Sequence, residues 1–337
     1  MATYLYLSLA GENKIAIYTL DPNTGKLSHL EDLALASGPG PLAADPAGRY
    51  LYASLRSIRQ LASFAIDQGS GLLKHLGSVS LISDPCCLSV DRRGRFVLSA
   101  YYRAGAAAVY RLDDRGAALE QPAMWISTAP CAHSIFTDPA NRYAFLPHVA
   151  QTNAICQFRF DEETGYLTSN PLFKVVPPPN TGPRHYVYHP LLPVVYFDNE
   201  QGSSVTAYHL DITQGTLSPF QTFSTLPADF SGENTCAQIR IHPEGKFLYA
   251  SNRGHDSIAC YAIDAQTGQL TSLGQQPTEQ TPRDFNLDPQ GRYLYAAGQA
   301  SGQLAAYHID PASGQLTPIE TYTVGKSPTW VLPLELG

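Results

Sequence analysis

The residues best able to do chemistry fall at matched places in a repeating chain. His133, Arg184 and Arg283 each stand five residues before a turn residue: Asp138, His189 and Asp288. Other versions of the phrase carry Gly40, Cys86 and Ala237 there, so folding does not demand a charged side chain at that point. Aligning the strands that begin at Leu61, Val205, Ile258 and Leu304 gives a second set: Arg56, Glu200, Arg253 and Gln299 then share one position. Residues of equal phase on equivalent strands face the same surroundings. The rigid fork of a guanidinium donates two parallel charge-assisted bonds to carboxylate or phosphate. Arg184, Arg253 and Arg283 together therefore suit an anion. Glu200 adds a carboxylate, and His133 adds an imidazole that is the best candidate for proton transfer near neutral pH. The plain alternative is a rim of solvated arginines paired with Asp256 or Asp284, with Glu200 as their counterion.

The other histidines separate by position. His185 has the opposite strand phase from Arg184, which suits packing or orienting a neighbour. His148 falls near the same end of the next segment and is a candidate ligand contact. His189 and His242 replace turn aspartates, a structural place. His75, His209 and His308 suit the surface or packing between repeats. Ser134 follows His133, and strand alternation points the two apart. No HExxH, paired cysteines or EF-hand pattern marks a metal site, no glycine-rich loop in a strand-to-helix context marks a nucleotide, and no GxSxG elbow marks a serine esterase.

These side chains meet only if the chain closes on itself. The phrase IAIYTLDPNTGKL recurs in seven versions, with aspartates at Asp21, Asp67, Asp113, Asp161, Asp211, Asp264 and Asp310. Their spacings are 46, 46, 48, 50, 53 and 46 residues, a period of propeller-blade length. The aspartate accepts local backbone N–H groups and the following glycine takes positive φ, so each phrase turns the chain between strands. A second phrase, DPAGRYLYAS and its relatives, marks another tight turn. In GKFLYASNRGHDSIACYAID, Phe247–Ala250 and Ile258–Ile263 read as strands around a polar loop at residues 252–256. Each unit then holds four short antiparallel strands, and units stack because one alone cannot cover its faces. Residues 4–7 resemble a second strand, and the missing first strand stands at residues 328–334. The expected fold is an all-β, seven-bladed propeller of four-stranded blades, one domain over 1–337, fastened by terminal strands sharing one blade. The Pro-rich segment 175–184 and residues 229–234 read as enlarged connections.

Composition sets outer bounds. The 337 residues are 44% hydrophobic, with 26 Gly, 26 Pro and 20 Tyr, enough for a large core with many turns. A net charge of -7 argues against nucleic acid or an anionic membrane surface as partner, though not against a local basic pocket. Six cysteines without a CxxC pair read as free buried thiols. The start, MATYLYLS, enters a strand directly without a leader pattern, which gives an expected cytoplasmic location.

The segments CAHSIFTDP, GPRHYVYHP, YFDNEQGSSVTAY, YASNRGHDSI, QPTEQTPRDFNLD, YLYAAGQASG and VGKSPTWV resemble propeller-type 6-phosphogluconolactonases, in the superfamily that includes fungal carboxy-cis,cis-muconate cyclase. The resemblance covers essentially the whole chain. It implies a polar site of His133, Arg184, Glu200 and Arg253, with Arg283 and Gln299 as substrate contacts. Asp284 departs from it by standing where the family pattern has glycine. The implied activity is hydrolysis of 6-phospho-D-glucono-1,5-lactone, a small anionic substrate, without cofactor or metal. A muconate cycloisomerase and a non-catalytic binding propeller are the alternatives, and oligomeric state is left open.

Overall fold

Short apolar strands separated by Asp–Gly turns form seven four-stranded antiparallel sheets in the computed structural model, which describes residues 2–337. The blades are numbered here from the one that holds both termini. In blade 1 the order is Pro328–Leu336, Ala2–Leu9, Lys14–Leu20, Leu27–Ala34. Tyr4 pairs with Leu334 and Leu7 with Val331, so the ends of the chain close the ring as expected. Blades 2 to 7 follow in order, each running from its inner strand outward. The second strands are covered on both sides by neighbouring blades and are buried almost throughout, as in Phe247–Arg253. Outer strands such as Leu270–Pro277 are largely open. The second strand of blade 6 runs on through Asn252 and Arg253, two residues assigned to a loop from sequence.

The turn phrases also join neighbouring blades. Asp67 accepts the backbone N–H of Ser70 at 2.8 Å, and Asp264 that of Thr267 at 2.8 Å. The glycine of each phrase packs under an aromatic or branched residue of the preceding blade. Gly71 has φ +70°, and a methyl there would lie 2.4 Å from the Tyr4 ring. Gly25 stands in the same relation to Tyr293, which brings blade 7 onto blade 1. A second tyrosine of the same strand then donates to the turn carbonyl. Tyr6 bonds Gly71, Tyr52 bonds Gly116 and Tyr295 bonds Gly25, at 2.7, 2.9 and 2.8 Å. Each such bond contributes about 1 kcal/mol net.

One irregularity positions the mouth of the channel. At the start of the inner strand the register slips between Pro39 and Leu42, Pro183 and Tyr186, Cys236 and Ile239, and Pro282 and Asp284. Each slip is a bulge, in which two consecutive residues oppose one partner and strict alternation is lost.

Candidate active site at the channel mouth

The inner-strand set and the second-strand set come together at one end of the ring. They border a cavity of about 800 Å³ whose lining includes His133, Arg184, His185, Arg283 and Gln299. Glu200 and Arg253 stand beside Arg184 and are not themselves among the residues lining the cavity; 18% and 15% of their side-chain surface is exposed. Arg253 Nη2 lies 2.8 Å from Glu200 Oε1 and also donates to the Cys236 carbonyl at 2.8 Å. Arg184 Nε lies 3.2 Å from Glu200 Oε2, off the hydrogen-bond direction, so charge alone joins them there. Arg184 Nη1 donates to the Ala237 carbonyl. Two cations thus share one carboxylate across blades 5 and 6.

Burial opposes ionisation of Glu200, but Arg184, Arg253 and Arg283 together outweigh it and hold the carboxyl below the usual glutamate range. Arg283 is different. Among the described residues no carboxylate or carbonyl receives its guanidinium, and its pKa is lowered to about 10 by burial and then by Arg184, Arg253 and Arg56. The alternative pairing with Asp256 or Asp284 does not form. Asp256 accepts the Thr281 N–H at 2.9 Å. Asp284 accepts from Gln238 at 2.5 Å and from the Val331 N–H at 2.6 Å, with Arg240 3.6 Å away.

His133 and His185 meet edge to face with ring centroids 4.9 Å apart. Both are held well below the ordinary imidazole value, first by burial and then by the arginines, so both are neutral near pH 7. A protonated His133 is thereby disfavoured near pH 7. The bulge at Arg184 corrects the phase argument for His185: the two consecutive side chains line the same cavity. His148 does not join them. It is fully buried, its Nε2 2.9 Å from Thr128 Oγ1, because the end of its strand turns it toward the preceding connection. Burial lowers it to about 4. Cys86 lines the cavity, but burial pushes its thiol up to about 11, so it offers no thiolate near neutral pH.

Asp198 was missed from sequence. It is fully buried; Oδ1 accepts the His185 N–H at 2.7 Å and Oδ2 has no partner. Ser251 does the same in blade 6, accepting the Gln238 N–H at 3.1 Å. These side chains hold the N–H that each bulge frees. Burial raises Asp198 to about 6 despite Arg184. A signal existed: the aligned positions of other blades hold Ser54, Ala100, Pro147, Ser251 and Ala297, so a carboxylate stands out.

Among the described residues no group of three His, Cys, Asp or Glu side chains is arranged for a metal ion. No helix among them is long and apolar enough to cross a membrane.

Residues 2–333 match the family model described as "Lactonase, 7-bladed beta-propeller". The chain is 36% identical to a 6-phosphogluconolactonase of Cronobacter sakazakii over 188 residues, 56% of this chain and 55% of that protein. It therefore spans only about half the length of that relative. With the Klebsiella pneumoniae 6-phosphogluconolactonase it shares 33% identity over 283 residues, 84% of this chain and 70% of the other. The periplasmic gluconolactonase of Pseudomonas aeruginosa superposes with a TM-score of 0.92 at 25% identity, covering 100% of both chains. A Lactobacillus plantarum protein gives 0.90 at 25% identity, over 99% of this chain and 100% of that one. The Pseudomonas match corrects the cytoplasmic expectation: it points away from the cytoplasm, because a periplasmic protein has this same chain-wide architecture. Repeat, closure, mouth and family match agree, and the chain belongs to the lactonase family of seven-bladed β-propellers.

Proposed function

We propose that this protein hydrolyses a sugar lactone of the gluconolactone class, with 6-phospho-D-glucono-1,5-lactone as preferred substrate and 6-phosphogluconate as product. One observation carries the reading: Glu200 lies between Arg184 and Arg253 beside Arg283, a guanidinium that no acceptor among the described residues receives. Such a mouth suits a small anion that undergoes acyl chemistry. The names of the Cronobacter and Klebsiella relatives support the phosphorylated form, and that of the Pseudomonas structure supports the wider class.

In this mechanism water forms a bond to the lactone carbonyl carbon and the ring C–O bond breaks. Arg184 receives the carbonyl oxygen as it becomes an oxyanion. That new charge draws on the guanidinium which otherwise holds Glu200 ionised. The proton affinity of Glu200 rises as it takes the proton of the attacking water. The same carboxyl then protonates the departing alkoxide, and its low pKa suits it as a donor. Neutral His133 orients the water without titrating. Arg253 fixes Glu200, while His185 and Gln299 shape the sugar's surroundings. His148 has no part.

The test is acid release from freshly prepared 6-phosphogluconolactone in a pH-stat. The expected result is a rate proportional to enzyme and above spontaneous hydrolysis. No acceleration at high enzyme concentration, with loss of absorbance from a carboxy-muconate instead, would move the site to the cyclase reading.

A further inference from the structure

Arg56 shares the repeat position of Glu200 and Arg253 but enters none of the steps above. Its packing takes it into the mouth. Blade 2 has Gly40 where blades 4, 5 and 7 have His133, Arg184 and Arg283. The missing side chain leaves a path for Arg56: a Cβ on Gly40 would lie 2.7 Å from its Cδ and 3.0 Å from its Cγ. Arg56 crosses the inner strand there and lines the same cavity as Arg283. Asp84 fixes its tip, with Nη2 2.9 Å from Oδ2, while Nε is buried without a partner. Arg56 is near enough for its charge to bear on Arg283. Blade 1, between blades 2 and 7, brings only Ala10 and Thr329 to the lining at the matching places, both short and uncharged.

Two cations held near one another repel unless an anion shares their charge. Blades 5 and 6 have Glu200 for that purpose. The side formed by blades 7 and 2 has Asp84 on the Arg56 tip and, among the described residues, no acceptor for Arg283. A phosphate dianion accepts from two guanidiniums at once.

We propose that Arg56 and Arg283, which flank blade 1 at the mouth, form a phosphate subsite. It holds the 6-phosphate while the lactone carbonyl is presented to Arg184 and Glu200. This orientation rests on the lactonase reading, whereas phosphate recognition can be tested apart from it.

The experiment compares the wild type with the double variant Arg56→Gln, Asp84→Asn, which removes the cation without stranding its carboxylate. The first readout is kcat/KM on 6-phosphogluconolactone divided by kcat/KM on gluconolactone. Loss of a charge-assisted contact should lower this ratio roughly 10- to 100-fold. A ratio within about twofold of wild type, against that expectation, overturns the subsite. Gly40→Ala displaces Arg56 without removing it and should lower the ratio in the same direction. The second readout is calorimetric binding of 6-phosphogluconate and gluconate. The wild type should prefer the phosphorylated acid and the double variant should lose that preference. A wild type that turns over neither lactone ends the lactonase reading alone, and the calorimetry then decides the subsite. No preference for 6-phosphogluconate in the wild type, or an undiminished one in the variant, overturns it.

Discussion

The two ends of the inner strands treat buried histidines in opposite ways. At the turn end of blade 5, His189 Nδ1 accepts the N–H groups of Leu191 and Leu192 at 3.1 and 2.9 Å, and Nε2 donates to the Gly245 carbonyl at 3.1 Å. His242 repeats the arrangement, with Gly291 as acceptor. At the mouth end of these blades and their neighbours, His133 Nδ1, His185 Nδ1 and Asp198 Oδ2 are buried without partners, and among the described residues Arg283 makes no ion pair. Burial depresses all four histidines, so depressed basicity does not tell the ends apart. The partners of the histidines do, although Thr137 Oγ1 and Tyr188 Oη near the turn end are also buried without partners. Buried polar atoms are nearly always satisfied, and a cluster left open marks a place prepared for something else.

Substitutions at the two ends should therefore act on different quantities. The largest effect is expected from Glu200→Gln, which keeps shape but loses the proton carrier. Lactone kcat should fall roughly 10²- to 10⁴-fold, measured by acid release. Unchanged kcat would remove Glu200 from the chemistry. At the turn end, Gly71→Ala sets a methyl against the Tyr4 ring at positive φ. It should cost about 2–4 kcal/mol in denaturant unfolding while the folded fraction keeps its kcat. A stable variant with impaired turnover would blur the distinction between the ends.

A smaller, pH-dependent effect should come from Asp198→Asn. The folded carboxyl titrates at about 6, against an ordinary value of 3.8. Below about pH 4 it is protonated whether the chain is folded or not, and it contributes nothing. As pH rises toward about 6 the unfolded chain sheds this proton before the folded one does, so stability falls. Above that window the full cost of a buried charge remains. Asparagine keeps an acceptor for the His185 N–H without the charge. The variant should be more stable than wild type at pH 7, by on the order of 2–3 kcal/mol, with the gap closing near pH 4. A gap independent of pH would mean that Asp198 acts by shape alone.

Much of this was legible because turn chemistry is local. Asp21 and its six counterparts announce the blades, and terminal strands without partners announce closure. The matched positions of Arg184 and Glu200 were readable too, since a ring makes repeat position equivalent to angular position. The bulges were not. An extra residue in a register leaves no mark in a single sequence, so strict alternation separated His185 from Arg184 although both line the cavity. The same limit misled for His148, whose direction depends on how its strand ends against Thr128. Asp198 was readable as a departure from a serine, alanine or proline position, but its purpose depends on a backbone N–H visible only in three dimensions. The compartment was not readable, as the Pseudomonas protein makes plain.

Arg283 gives the most direct test, because a half-buried cation crowded by other arginines should favour ligand binding at the expense of folding. Arg283→Gln and wild type should be compared for 6-phosphogluconate affinity by calorimetry and for melting temperature without ligand. The account expects affinity to fall roughly 10- to 100-fold while the melting temperature rises. A variant that binds as tightly as wild type, or one that melts lower with affinity intact, would show that Arg283 serves the fold and that the mouth is not built around an anion.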